Sequence, residues 1–190
     1  MLCTADQVRA RAQGQLTGWT TEHIEGVIAA VSQAMQEETE REFESGESGE
    51  ERVYEAPRDG YAPIEDALII NSVTYRATEA DTEIAVATTA YRTKRHPRAV
   101  SVYALDNGPW AAGDLVHVTG QYGYADAVPG DIADAAIAWT LRTLKSADAA
   151  YQDATAIPEM GQLVFSKSIP TDVRRVLERY ARKTPVWRVT

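Results

Sequence analysis

The sequence predicts an α+β fold, a helical bundle into which a small antiparallel β lobe is inserted. Apolar residues recur at helical spacing in residues 5–43 and again in residues 130–180, whereas residues 52–124 alternate and are rich in β-branched and aromatic residues. Because helical regions flank the strands, an inserted lobe explains this order more simply than two domains in series. We predict a helical bundle of residues 1–51 and 125–184, a β lobe of residues 52–124 and an extended tail of residues 185–190.

Length, charge and cysteine content exclude several classes of protein. The chain has 190 residues, which suits one domain or one domain with an appended lobe, and its 28 acidic and 19 basic residues give a net charge of −9. Such a chain is not expected to bind nucleic acid generally, because affinity for phosphates comes mostly from Lys and Arg. The N-terminus lacks a signal-peptide pattern, and no apolar run approaches the roughly 18 residues of a membrane span. Since the single Cys3 can form neither an internal disulfide nor a cysteine-based zinc site, we expect a cytoplasmic setting.

The charge is unevenly distributed along the chain. Residues 1–66 carry a net charge of −10, residues 67–166 one of −4 and residues 167–190 one of +5. An acidic body with a basic end predicts a protein that repels similarly charged proteins over most of its surface and docks through the basic end. The alternative is a solvated acidic face next to a cationic helix end.

Two helices are predicted in the N-terminal region. Thr4 can cap a helix over residues 5–13, which Gly14 ends, and Thr20 or Thr21 can cap a longer second helix. The apolar stripe of the second helix comprises Ile24, Val27, Ile28, Val31, Ala34 and Met35, with Phe43 as a candidate continuation.

The end of the second helix is acidic, although the helix dipole prefers cations there. Residues 45–51 then have the composition of a flexible acidic loop. Either these carboxylates are simply solvated or they form a functional negative surface. The candidate acidic surface comprises Glu37, Glu38, Glu40, Glu42, Glu44 and Glu47.

Strands are predicted from residue 52 onward. The first predicted strand begins at Val53 and is interrupted by turn-forming residues as far as Pro63. Asn107-Gly108 is a strong hairpin signal, because both residues accept a positive φ. The run Gly120-Gln121-Tyr122-Gly123-Tyr124 is predicted to be a turn in which glycine permits a sharp exit from the last strand. The other strand-like runs lie at about residues 68–75, 84–92, 100–105 and 115–118.

Two further helices complete the predicted bundle. One starts at Pro129 or Asp131 and is apolar over a wide arc, which is typical of a helix buried between others. A loop is predicted over about residues 146–168. The last helix opens at Pro170, and its apolar stripe comprises Val173, Val176, Leu177 and Tyr180.

The residues indicate little chemistry. His23, His96 and His117 have no metal-ligand spacing, and the phosphate-loop and nucleophile-elbow motifs are absent. Asp114 and His117 could form an acid–base pair, but a strand histidine beside polar neighbours is more often a surface residue. We therefore expect no catalytic residue, no metal, no cofactor and no enzymatic activity.

Basic residues near the C-terminus and in one loop are candidate docking elements. The loop of residues 94–98 is either a solvated hairpin tip or a contact to phosphate or protein, and Trp187 either anchors in a partner's pocket or packs onto its own bundle. The candidates are Lys94, Arg95 and Arg98 in the loop, Arg174, Arg175, Arg179, Arg182 and Lys183 at the last helix, and Val186, Trp187, Arg188 and Val189 in the tail.

One stretch is similar to a known family. Residues 113–124 read Gly-Asp-Leu-Val-His-Val-Thr-Gly-Gln-Tyr-Gly-Tyr, and residues 128–136 contain Val-Pro-Gly-Asp-Ile and Ala-Ala. This run resembles the G-D-x-V-x-V-x-x-x-x-G-Y…V-P-x-D-I-x-x-A-A pattern of head–tail connector proteins, the adaptor or head-completion proteins of long-tailed bacteriophages. Further similar features are Ile24 and Ile28 on a threonine-capped helix, Arg52 and Tyr54 after an acidic region, and Asn71-Ser72-Val73-Thr74.

The resemblance implies a structural protein of the virion neck, made in the bacterial host cytoplasm. Such proteins form a dodecameric ring under the portal protein, extend the DNA channel and dock the stopper or tail-completion protein. Double-stranded DNA would pass without sequence-specific binding, with the acidic surface lining the channel or facing outward. The tail of residues 186–189 and the basic docking helix would then hold the portal, the tail by adding a strand to a partner's sheet edge. No membrane is implied.

Two other functions remain open. The β lobe could be a non-enzymatic module that binds a protein or a glycan. The chain could also be a small hydrolase with an acidic site that uses Asp114 and Asp131.

Overall fold

The protein has a mixed fold of helices and an antiparallel sheet, which confirms the predicted α+β class. The structure, a computed structural model, describes residues 1–96, 98, 101–154, 169–183, 186, 188 and 189. The helices of this described part are α1 (Ala5–Ala12), α2 (Thr21–Thr39), α3 (Gly130–Ala154) and α4 (Thr171–Tyr180). Its strands are β1 (Ser48–Glu55), β2 (Tyr61–Arg76), β3 (Ile84–Ala85), β4 (Arg92–Arg95), β5 (Val102–Asp106), β6 (Leu115–Tyr122) and β7 (Arg188–Val189).

The chain forms two compact units, each built from two separate segments. The helical unit comprises Met1–Glu40 and Pro129–Ala181 and contains all four described helices. The sheet unit comprises Arg41–Val128 and Arg182–Thr190 and contains all seven described strands. None of the described helices combines the length and the apolar character that a membrane span requires.

Helices α1 and α2 begin at threonine caps, as predicted. Thr4 Oγ1 accepts the Gln7 N–H at 3.2 Å, and the Gln7 side chain accepts the Thr4 N–H, which completes a capping box. Thr20 Oγ1 accepts the His23 N–H at 3.2 Å in the same way. The predicted stripe of α2 is buried at Ile24, Val27, Ile28, Val31 and Met35.

Helix α2 ends before Phe43, so the predicted continuation of its stripe is wrong. Glu40 adopts a left-handed conformation with φ of 52°, which turns the chain out of the helix. Phe43 is buried in the sheet unit instead, where its ring centroid lies 5.7 Å from that of Tyr124.

Helix α3 is longer than predicted. It begins directly after Pro129, and its buried residues include Ile132, Ala136, Trp139 and Leu144. It continues to Ala154, where a loop was expected from residue 146, because this alanine-rich segment has a high intrinsic helix propensity. The rest of the predicted loop, residues 155–168, lies outside the described residues.

Helix α4 agrees with the prediction in position and in its buried face. It starts after Pro170 and buries Val173, Leu177 and Tyr180. It ends at Tyr180, with Ala181 as the C-cap.

The seven described strands form one sheet in the order β4-β5-β2-β6-β1-β7, with β3 paired to β2, and all pairings are antiparallel. The long strand β2 pairs with β5 over its first half, with β3 near its end and with β6 along residues 67–76. Strands β4 and β7 therefore lie at the two edges of this strand order.

Three local predictions in this region are wrong. Strand β1 begins at Ser48, so residues 48–51 are paired to β6 and do not belong to an acidic loop. Pro63 lies inside β2, beside an irregularity in the pairing with β5, where a missing N–H is tolerated. Lys94 and Arg95 lie in β4 and not in a loop.

The turn residues of the sheet agree with the prediction only in part. Asn107 has a positive φ of 59°, but the strands on either side of it, β5 and β6, do not pair with each other, so the hairpin prediction is wrong. The predicted turn after β6 begins later than expected, because Gly120, Gln121 and Tyr122 still belong to the strand. Gly123 ends β6 with φ of 140°, and a Cβ there would lie 2.6 Å from the Glu44 carbonyl oxygen. The sheet core includes Tyr54, Ile64, Leu105, Trp110 and Tyr122.

Candidate functional site

The segment that returns from α4 to the sheet unit is anchored by a buried arginine. Arg182 Nη2 lies 3.0 Å from Asp66 Oδ2, and Arg182 Nη1 donates to the Ile64 carbonyl oxygen at 2.9 Å. The Arg182 side chain is only 6% exposed. Burial lowers the pKa of this guanidinium, and the carboxylate of Asp66 opposes that effect. Arg182 therefore lies beyond the end of α4 and is buried, so its assignment to the basic candidates at the last helix is wrong.

Asp66 also binds a second buried cation. Arg41 Nη1 donates to Asp66 Oδ1 at 2.7 Å, and the two side chains are 4% and 2% exposed. Ser101 Oγ donates to Asp66 Oδ1 at 3.3 Å. One carboxylate thus ties together the beginning of the sheet unit, strand β2 and the C-terminal segment.

The C-terminal tail is part of the chain's own sheet. Arg188 and Val189 form β7 and pair with Tyr54 and Val53 of β1. Val186 is partly buried and packs against the sheet core. The predicted extended conformation is therefore observed at Arg188 and Val189. The strand is added to the sheet of this chain and not to the sheet of a partner. Trp187 lies outside the described residues.

An ion pair and an open edge define the chemistry of this tail. Arg188 Nη1 lies 3.6 Å from Glu65 Oε2. Strand β7 pairs with β1 on one side and is the terminal strand of the described order, so its other edge presents backbone N–H and C=O groups. Such an edge can pair with a strand from another protein.

The remaining basic candidates near the tail differ in their partners. Arg174 and Arg175 are exposed on α4. Arg179 Nη2 lies 3.2 Å from Asp131 Oδ2 within the helical unit. Lys183 is exposed and lies beyond the end of α4. The prediction that Lys183 belongs to this helix is therefore wrong.

All six residues of the candidate acidic surface are exposed. Only Glu37 and Glu38 lie within α2; Glu40 caps it, and the other three follow in the sheet unit. The acidic end of the helix is therefore shorter than predicted. Among these residues, Glu42 has a charged partner, because its Oε2 lies 2.9 Å from Arg52 Nη2.

Arg52 is the centre of an ionic network that the sequence patterns above do not predict. Its side chain is 5% exposed, and its guanidinium donates to Glu42, Glu50 and Glu65. It also lies over the Tyr122 ring, with Cζ 4.1 Å from the centroid. Burial alone would lower the pKa of Arg52, but the hydrogen bonds to the three carboxylates outweigh that effect and raise it.

A sequence signal for this network existed in the strand alternation. Arg52 and Tyr54 are two residues apart and both are buried, which places them on one face of β1. The sequence pattern predicts a strand that begins at Val53, and it therefore does not place Arg52 on the buried face of β1.

Two basic residues of the predicted loop at 94–98, Lys94 and Arg95, lie in β4 at the other edge of the strand order. Lys94 Nζ lies 2.9 Å from Asp106 Oδ2 and 5.2 Å from the Tyr61 ring centroid. Arg95 and Arg98 are exposed. Lys94 therefore joins β4 to β5, while the other two side chains face solvent beside it.

The residues of the two enzyme hypotheses have other partners. Asp114 Oδ2 accepts the Ala111 N–H at 2.8 Å, and His117 Nδ1 faces Glu51 Oε1 at 2.7 Å. Asp131 Oδ1 accepts the Tyr180 hydroxyl at 2.6 Å. Asp114 and Asp131 belong to different units of the chain.

Comparison with known proteins finds similarity in structure alone. No family model matches the chain, and no curated protein matches it. A chain in the structure of the neck of an empty gene transfer agent particle, computed with C6 symmetry, is similar with a TM-score of 0.54 and 13% identity, over 95% of this chain and 90% of that chain. A chain in the virion of a native gene transfer agent particle is similar with a TM-score of 0.51 and 11% identity, over 88% and 80%. The protein therefore shares its fold with these chains.

Proposed function

We propose that this protein is a structural, non-enzymatic subunit of the neck of a phage-like particle, the head–tail connector adaptor. It forms a ring under the portal protein, extends the DNA channel and docks the stopper or tail-completion protein. The observation that carries this proposal is the similarity in fold to a chain of a gene transfer agent neck over 95% of this chain. The sequence resemblance to head–tail connector proteins points in the same direction through different evidence.

The proposed ring has twelve copies related by rotation. The structure of the similar neck was computed with C6 symmetry. A ring of twelve copies is compatible with that symmetry, because it divides into six equivalent pairs. Contacts in such a ring are heterologous, so each subunit needs two different surfaces.

The charge of the protein suits a channel through which DNA slides. A net charge of −9 and six exposed glutamates in residues 37–47 repel phosphates, whereas a lining of Lys and Arg would bind them. DNA would therefore be enclosed without being gripped. The same charge on the outer surface would keep rings apart in solution.

The portal contact is assigned to the C-terminal segment. The outer edge of β7 can accept a strand from the portal through main-chain hydrogen bonds, and Arg174 and Arg175 on α4 add exposed positive charge. Because Arg182 and β7 hold the segment in place on its own sheet, little conformational entropy is lost on docking.

Portal binding by defined variants tests this proposal. We expect the full chain to co-sediment with portal assemblies and to give rings of twelve copies by native mass spectrometry and negative-stain microscopy. Deletion of residues 185–190 should abolish the association while circular dichroism shows an intact fold. Arg174→Glu with Arg175→Glu should weaken it, and Lys145→Glu, a charge reversal at an exposed site on α3, is the matched control.

Two results would contradict the proposal at different levels. If the chain lacking residues 185–190 binds portal assemblies with full affinity, the tail is not the portal contact. If neither the full chain nor its complex with portal forms rings, the adaptor role itself is wrong. Binding to a glycan array in that second case would favour the alternative, a binding module built on the β lobe.

A further inference from the structure

A buried histidine lies between two glutamates on the sheet. His117 in β6 is 5% exposed, and its Nδ1 lies 2.7 Å from Glu51 Oε1 and 3.6 Å from Glu83 Oε1. One ligand atom from each of the three side chains lies within 4.8 Å of the others. Three donors from separate parts of the chain therefore converge on one point.

The sheet register explains this convergence. His117 is paired with Val53 of β1 on one side and with Thr74 of β2 on the other. Glu51 is two residues from Val53 and therefore lies diagonally across from His117 on the same face. Thr74 Oγ1 donates to Glu83 Oε2 at 2.7 Å, which directs Glu83 Oε1 toward the imidazole.

Hydrogen bonding alone does not satisfy both carboxylates. His117 Nδ1 carries at most one proton, so it can donate to only one of the two glutamates that face it. A cation bound between the three side chains would contact both carboxylates and the imidazole.

We propose that Glu51, Glu83 and His117 form a zinc-binding site. Zinc takes imidazole nitrogen and carboxylate oxygen at about 2.0–2.2 Å, so two ligand atoms of a tetrahedral site are about 3.4 Å apart. The observed separations from Nδ1, 2.7 Å and 3.6 Å, bracket that value. A water completes the coordination, and the imidazole favours zinc over magnesium or calcium.

The site is accessible and its carboxylates can adjust. The side chains of Glu51 and Glu83 are 54% and 41% exposed, so the ion enters from solvent and small side-chain rotations bring both oxygens to bonding distance. The bound ion would join β1, β6 and the segment before β3. Because it binds the folded state, it would stabilise the sheet unit by a free energy that grows with the logarithm of the zinc concentration above the dissociation constant.

Calorimetric titration of the full chain with zinc chloride tests the site. We expect one saturable site and no saturable binding of magnesium. Glu51→Gln and Glu83→Gln should each weaken the zinc affinity at least tenfold, which corresponds to loss of one ligand. Glu55→Gln, an exposed glutamate in the same strand, should bind zinc like the unmodified chain. In nitrogen NMR spectra, zinc should shift Nδ1 of His117.

Three outcomes would overturn the proposal. The first is a dissociation constant weaker than about 1 mM for zinc in the unmodified chain. The second is zinc binding that both glutamine variants leave unchanged, which would place the ion on His23, His96 or another surface group. The third is an Nδ1 resonance of His117 that zinc does not move. The two glutamine variants keep the test valid if a His117→Gln variant fails to fold.

Discussion

Arg182 Nη2 lies 3.0 Å from Asp66 Oδ2, and neither side chain is more than 6% exposed. The same carboxylate receives Arg41 from the first residues of the sheet unit. One buried acid therefore contacts two buried cations, which are the first residues of the two separate segments of the sheet unit.

Asp66→Asn should destabilise the protein strongly. The substitution removes the carboxylate that both guanidiniums contact, and breaking a buried ion pair costs about 3–5 kcal/mol. Arg182→Met should cost less, because Asp66 keeps its contact to Arg41. Chemical denaturation measures both changes.

Asp126→Asn is the matched control, since Asp126 is exposed in the same unit. It should change the free energy of unfolding by less than about 0.5 kcal/mol. If Asp66→Asn were as mild as this control, the buried ionic cluster would not stabilise the sheet unit.

Two glycine substitutions should have opposite effects on stability. A Cβ at Gly120 would lie 2.2 Å from the Ile69 carbonyl oxygen, a backbone atom that cannot move freely, so Gly120→Ala should cost about 1–3 kcal/mol. Gly26 is exposed within α2 with open space at its Cβ, so Gly26→Ala should raise stability by about 0.5–1 kcal/mol. The denaturant midpoints of the two variants measure these effects. If both midpoints shifted equally from that of the unmodified protein, the close approach of β6 and β2 would be contradicted.

Stability should fall with acid partly through Glu50. The hydrogen bond from Arg52 lowers the pKa of Glu50 below its ordinary value of 4.5, so its contribution is present above pH 4.5 and is lost as the pH falls through the lowered pKa. The contribution should stay below about 1 kcal/mol because solvent screens this partly exposed group. Glu50→Gln should therefore flatten the stability curve between about pH 5 and pH 3.

Glu47→Gln, a nearby exposed substitution, provides the comparison for that curve. It should leave the slope of the unfolding free energy against pH unchanged. A Glu50→Gln curve that follows the unmodified protein throughout this range would show that the Arg52 network does not depend on Glu50.

The thiol of Cys3 should react slowly in the folded protein. Cys3 is 4% exposed, and burial raises its pKa from 9.0 to about 11. Since the thiolate is the reactive form, its fraction near pH 8 falls about 100-fold from the pKa change alone. Labelling with a thiol reagent, followed by absorbance, should be slow in buffer and rapid in denaturant. Equal rates in both conditions would place Cys3 at the surface.

The helices could be predicted well because their signals are local. The Thr20 cap and the stripe from Ile24 to Met35 lie within one helix and need no distant partner. The end of α2 was harder to place, because the left-handed Glu40 carries no distinctive sequence signal. Likewise, residues 48–51 look like an acidic loop until their pairing to β6 is known.

The candidate site was less predictable because its partners are far apart in sequence. The tail could be recognised as extended and basic, yet its place beside β1 depends on a strand more than a hundred residues earlier. Arg52, Asp66 and Arg182 look like ordinary surface charges in the sequence. Only the folded chain shows that long-range ion pairs bury them.

The discontinuous sheet unit also constrains how the protein is made. Arg182 follows Asp66 by 116 residues. At about 5–20 residues per second, the ribosome needs roughly 6–23 s to supply this second cation after Asp66 has been synthesised. During that interval the nascent sheet lacks both Arg182 and β7, and the edge of β1 is open. A chain broken off before residue 182 would therefore stay incomplete, and defective translation products would be kept out of any assembly that requires the finished edge.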